Sequence, residues 1–286
     1  MRWVLNYYSL VCIAVELATM ENHLLDRLSI ELLFVLTVIL MLVGLEVGFR
    51  IGANVKGKKV KAQTSQVRAL MGATLGLLAF MLAFTFAAAQ KHFENRFQLQ
   101  INEAMLIKSA FMKAGLFEEP VRSEARALLI EYVDDRIALR KWVQEKEAVN
   151  IFGVLNRAEE IQLRLWSLGT RSSDASSGNA FQSRADILPE VLGLMESQTR
   201  RLQAALVNRI PPIIWLTLYF TAMVSMIVVG YQAGLTEKRS PLATFSLALV
   251  FSAVMVLIMD LDRPLQSLFA LDTAVMDELA VFMQTI

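Results

Sequence analysis

The residues of this chain best able to do chemistry are polar groups set in or beside long apolar runs. Glu46 and Arg50 stand four residues apart near the end of one run. Asp260, Asp262 and Arg263 form the sequence DLDRP at the end of another, and Glu103 lies in QINEAM beyond a third. A charge at membrane depth is expensive, so such groups point to ion binding, proton relay or pairing between helices. Glu46 and Arg50 have the i, i+4 spacing that lets two side chains pair on one helix near a membrane face. Asp260 ends its apolar run, where it can bind a cation, hold a partner helix or accept from Arg263, and Pro264 then breaks the helix. Glu103 falls one to two turns past the apolar run, a place where most acids are simply exposed.

Two other patterns bear on an ion path. Phe80 and Phe84 lie one turn apart in an uncharged stretch, and Phe86 faces elsewhere. A ring of such residues from several subunits makes an apolar constriction that gates by dewetting, while the same rings can equally face lipid or fill a core. Gly44, Gly48 and Gly52 recur every four residues, as do Gly72 and Gly76, which Ala79, Ala83 and Ala87 continue. Small residues let membrane helices approach closely. Packing within one subunit and packing between subunits are both open from spacing alone.

Enzyme chemistry finds no footing. There is no G-x-S-x-G, H-E-x-x-H, C-x-x-C or phosphate-cradling glycine loop, so no nucleophile–base pair can be named and no catalytic residue is expected. The single cysteine, Cys12, excludes an intramolecular disulfide and a zinc cluster built on cysteine pairs. With His23 and His92 as the two histidines, no metal site and no cofactor are expected. The paired acids Glu118-Glu119, Asp134-Asp135 and Glu159-Glu160 sit among arginines and lysines at helical spacings and read as solvated faces. A net charge of +1 excludes a generally basic nucleic-acid binder.

The elements that position these residues follow from composition. Of the 286 residues, 55% are hydrophobic and 19% charged, against about 45–50% and about 25% in an ordinary globular chain. Four stretches hold the excess: Leu32 to Phe49, Ala69 to Ala89, Ile213 to Tyr231 and Leu242 to Met259. Eighteen helical residues rise about 27 Å, close to the thickness of a bilayer core. The prediction is an all-α membrane protein with four transmembrane helices and a helical soluble domain inserted between spans two and three. Its parts are an N-terminal segment over 1–31, a first transmembrane pair over 32–89, a helical domain over 90–210, a second pair over 211–260 and an acidic tail over 261–286. Within the N-terminal segment, Trp3 to Ala18 carries Asn6, Glu16 and a Tyr pair, and reads as an uncleaved interfacial or shallow helix.

Charge sets an orientation. The loop between spans one and two holds Arg50, Lys56, Lys58, Lys59, Lys61 and Arg68 and no acid, while Lys238 and Arg239 face Glu237 in the loop between spans three and four. Basic short loops stay in the cytoplasm. The helical domain and the tail are therefore expected outside it, in a bacterial inner membrane.

In the domain over 90–210, a helical pattern continues from span two until Gly115. A second helix, roughly Val121 to Glu145, aligns Val121, Ala125, Leu128, Leu129, Tyr132 and Val133 on one stripe. A third covers roughly Ala148 to Leu168, and RSSDASSGN from Arg171 is an exposed loop. The fourth shows a heptad-like seam of Leu188, Leu192, Met195, Thr199, Leu202 and Leu206, read as bundle core or as an oligomer contact.

The stretches GATLGLLAFMLAFTFAAA, QINEAMLIKSAFMKAGLF, ALLIEYVDDRIAL and DLDRPLQSLF, in this order, resemble a bacterial family of membrane proteins described as bestrophin-like. The resemblance runs from about Leu32 to Leu279. It implies a homo-oligomer, a pentamer by analogy, in which span two lines an ion path and Phe80 and Phe84 stand at its apolar neck. The bestrophin Pro-Phe-Gly turn reads Pro264-Leu265-Gln266 here, and the acidic run after it is thin, so no calcium site is carried over. Bestrophins also keep their helical domain in the cytoplasm, whereas the basic loop places it outside here; the charges are followed. Two functions result as expectations: an oligomer that forms or regulates an ion pathway, or a non-conducting scaffold or sensor whose helical domain binds a protein partner.

Overall fold

The computed structural model describes residues 28–54, 60–144, 151–170, 186–206, 209–236, 241–263 and 274–285. These residues form eight α-helices and, among them, no strand. In chain order they are α1 (Ile30–Ala53), α2 (Val60–Ala114), α3 (Val121–Gln144), α4 (Ile151–Thr170), α5 (Leu188–Leu206), α6 (Pro212–Thr236), α7 (Pro241–Asp262) and α8 (Ala274–Thr285). The segment Trp3 to Ala18, the RSSDASSGN loop and the turn after Pro264 lie outside the described residues.

The helix boundaries have local causes. Ser29 caps α1 by accepting the Leu32 N–H at 3.3 Å, and Glu31 and Arg50 occupy the first and last turns with the charges that the helix dipole favours. Proline opens both α6 and α7, where its missing N–H costs nothing because the first helical N–H groups are unpaired anyway. No proline or helix-ending glycine interrupts the chain between Val60 and Ala114, so α2 runs 55 residues. It stops at Gly115, whose N–H bonds back to the carbonyls of Phe111 and Met112.

Helices α1, α2, α6 and α7 are each long and apolar enough to cross a membrane. The chain is an all-α membrane protein.

The chain divides into two compact units, one of residues 1–93 and 208–263, the other of residues 94–207 and 264–286. In the first, α1 packs mainly on α6 and also on α7. Its core joins Met41, Leu78, Leu218, Ala222, Met226, Met255 and Ile258, all free of solvent. In the second, α3 packs on α4, α4 on α5, and α8 on α3. Ile107 and Phe111 from the last part of α2 fill the same core as Leu129, Leu165, Leu194 and the α8 residues Leu279 and Met283.

The stripe expected on α3 is the buried one: Ala125, Leu128, Leu129, Tyr132 and Val133 all lie in the core. The seam expected on α5 is displaced. Leu192 is 52% exposed, and the buried face instead carries Val191, Leu194, Ser197, Gln198 and Ala204. The reason is polar: Gln198 accepts a hydrogen bond from Gln162 at 2.9 Å, and Arg201 reaches a buried acid. A reading based on apolar spacing passes over core positions filled by glutamine and arginine.

Candidate functional site

The first unit holds the face on which an ion path would depend. Phe80 and Phe84 of α2 are 70% and 68% exposed, one turn apart, while Phe86 packs against the core. The surface around them is made mostly of small residues: Ala69, Gly72, Ala73, Gly76, Ala79, Ala83 and Ala87 are all exposed. The exposed face of α1 differs. There Leu32, Val35, Leu36, Ile39, Leu40, Val43, Val47 and Ile51 are large and aliphatic. Bulky side chains suit contact with lipid tails, whereas small ones lower the cost of another helix coming close.

The glycines divide along the same line. Gly44, Gly48 and Gly52 all meet α6. A methyl group added at Gly48 would run into the Ile227 carbonyl, at Gly52 into that of Tyr231, and at Gly44 into the Met223 sulfur at 2.7 Å. Gly230 and Gly234 answer from α6, against the carbonyls of Leu45 and Phe49. Gly72 and Gly76 have nothing within 4 Å of an added methyl group. One set brings two helices of this chain into backbone contact; the other is open.

The polar residues also separate. Glu46 and Arg50 pair along α1, Arg50 Nε to Glu46 Oε1 at 2.9 Å, with the arginine side chain 76% exposed. Asp260, Asp262 and Arg263 are buried at 2%, 8% and 5% exposure. Asp262 Oδ1 accepts the Ile210 N–H at 3.1 Å, Arg263 Nη1 donates to the Leu28 carbonyl at 3.1 Å, and His92 Nδ1 stands 3.6 Å from Asp262 Oδ1. Among the described residues, no group of three or more His, Cys, Asp or Glu side chains is placed to hold a metal ion.

In the second unit, the expectation of an exposed acid fails at Glu103, which is 0% exposed. Its Oε1 accepts from Tyr132 Oη at 2.8 Å and lies 3.4 Å from Arg136 Nε, and its Oε2 lies 2.6 Å from Arg201 Nη1. Burial first, and then the Glu103 charge, raise the Tyr132 phenol above tyrosine's ordinary range. Burial works against the Arg201 charge, but Glu103 and Tyr132 together outweigh it and hold the guanidinium above its ordinary range. Sequence reasoning passed over Tyr132, Arg136 and Arg201 as partners of Glu103, since they come from two other helices and no local spacing links them. The available signal was Tyr132 on the apolar stripe of α3, a buried hydroxyl that needs a partner.

A family model described as a bestrophin-like domain matches residues 12–276. No curated protein matches the chain, and no solved structure does. The match spans the four apolar helices, the polar end of α7 and the bundle around Glu103, and the chain belongs to the bestrophin-like family.

Proposed function

We propose that this protein is a homo-oligomer that forms or regulates an ion pathway, with α2 turned toward the shared axis. The observation that carries the reading is the exposed face of α2, where Phe80 and Phe84 project beside Leu70 and Leu77 from a surface otherwise rich in glycine and alanine. Family membership supports a channel-like membrane protein. Small residues let copies of α2 come close, and the two phenylalanine rings narrow the space between them to an apolar constriction that conducts only when wetted. Basic residues flanking the short connections support a cytoplasmic location for those loops, with the helical domain on the opposite side.

Reconstitution into planar bilayers tests the function. The wild-type protein passes current and Phe84→Ala alters it; inert bilayers with insertion verified would overturn the proposal. Gly76→Cys, made with Cys12→Ser, tests the arrangement: it cross-links copies if α2 faces α2, and a purely monomeric product would remove the axis. Reporters fused near Ser176 and near Lys58 test sidedness, and a cytoplasmic signal at Ser176 would reverse it.

A further inference from the structure

Two consecutive residues at the end of α7 reach the other three helices of the first unit. Asp262 receives the Ile210 N–H, the last backbone donor before Pro211 and Pro212 lead into α6. Arg263 donates to the carbonyl of Leu28, which directly precedes the Ser29 cap of α1. From α2, His92 faces the same Asp262 oxygen. This dipeptide therefore gathers α1, α2, α6 and α7 at one end.

The three ties differ in kind. Arginine keeps its charge and a backbone carbonyl does not titrate, so the tie to Leu28 does not respond to mild acid, and the Ile210 tie keeps its N–H donor at any pH. The tie to α2 does. At 3.6 Å, His92 Nδ1 is beyond hydrogen-bond length from Asp262 Oδ1. That nitrogen is shielded from solvent and has no hydrogen-bond partner among the described residues. The imidazole side chain is still 29% exposed, so protons reach it. Once protonated, it offers the carboxylate both an N–H and a positive charge, and the contact becomes a charge-assisted hydrogen bond.

We propose that His92 and Asp262 form a proton-operated latch that fastens α2 to the junction of α1, α6 and α7, closed when His92 is protonated and loose when it is neutral. Among the described residues, the other charges at this end are few. Arg209, ahead of α6, is the second cation acting on the Asp262 carboxylate. Asp260 lies on α7, Arg263 just after it, Lys91 beside His92, and Glu31 in the first turn of α1. Arginine and lysine keep their charge between about pH 5.5 and about pH 7.5, where imidazole changes its own. Any effect of the latch on the Phe80 and Phe84 face rests on the ion-pathway reading; the latch itself does not.

The test is the thermal unfolding midpoint of the full-length protein in detergent at about pH 5.5 and about pH 7.5. Wild type is compared with His92→Gln and with Asp262→Asn, which keeps an acceptor for the Ile210 N–H but lacks the charge. In wild type the midpoint rises at the lower pH by about 2–4 °C more than in either variant. A His92→Gln protein with the wild-type pH response would overturn the latch, and so would an Asp262→Asn protein that kept it. If Asp262→Asn does not fold, the His92→Gln comparison decides alone. Bilayers that pass no current would refute the ion pathway and leave this measurement unaffected.

Discussion

Replacing Glu103 by glutamine removes the anion at the centre of the second unit and keeps its shape. Glu103 is fully buried, with Arg201 Nη1 at 2.6 Å, Arg136 Nε at 3.4 Å and Tyr132 Oη at 2.8 Å. The side chains of Arg201 and Arg136 are only 15% and 20% exposed, so water cannot readily replace the lost carboxylate. Breaking a buried ion pair by removing one partner costs about 3–5 kcal/mol, because the remaining charge stays desolvated. Two cations share this acid, which places Glu103→Gln in the upper part of that range. Chemical unfolding of the full-length protein in detergent, followed by tryptophan fluorescence, measures the loss. Trp166 reports on the second unit because it packs against that core. A loss below about 1 kcal/mol, the size of a surface pair, would refute the argument. A companion variant sharpens it: Glu103→Leu, Arg136→Met, Arg201→Met and Tyr132→Phe together should recover most of the stability, since well-packed apolar groups often replace a buried ionic cluster without loss.

Gly48→Ala should destabilise the first unit by at least about 1–3 kcal/mol, because the added methyl group meets the Ile227 backbone, which cannot rotate away. Gly76→Ala meets nothing within 4 Å, so it should leave unfolding of the single chain unchanged while shifting the oligomer distribution in size-exclusion light scattering. Tyr132 binds its proton more tightly in the folded than in the unfolded chain. Its contribution to stability is thus fully present below about pH 10 and is lost as pH rises above that value; Tyr132→Phe should flatten this alkaline loss in pH-dependent unfolding. Leu279→Ala, at a side chain 5% exposed in the core, should cost about 2–5 kcal/mol and make α8 a site of early proteolysis.

Much of the architecture can be read from residue types. A run such as Ala69 to Ala89, with no charge, has one plausible solvent, and four such runs define the membrane helices. The true helices extend past those windows because hydropathy ends where polar residues begin, whereas helical hydrogen bonding does not. Thus α2 continues through Gln90, Lys91 and Glu94 to Ala114. The pairing of Glu46 with Arg50 was legible because both lie on one helix at a spacing that brings them together. The cluster around Glu103 was not, because its members approach only when three helices pack, and a carboxylate among charged neighbours looks the same in sequence whether exposed or enclosed. On α5 the same limitation moved the expected seam, since Gln198 and Arg201 hold inward positions that an apolar pattern assigns to the surface.

The sequence by itself determined the class of this protein: helical, and four times apolar over a bilayer's thickness. Those properties are sums over neighbouring residues, and hydrophobic burial and helix propensity act on such sums. Tertiary structure alone decided which small residues are occupied and which are open. Gly48 and Gly76 stand in similar four-residue repeats, yet one touches the backbone of α6 and the other touches nothing. Tertiary structure also decided that Asp262 would accept the Ile210 N–H, that Arg263 would reach the Leu28 carbonyl and that Glu103 would be enclosed. Contacts of this kind depend on where distant helices come to lie, and close packing makes each of them depend on all the others.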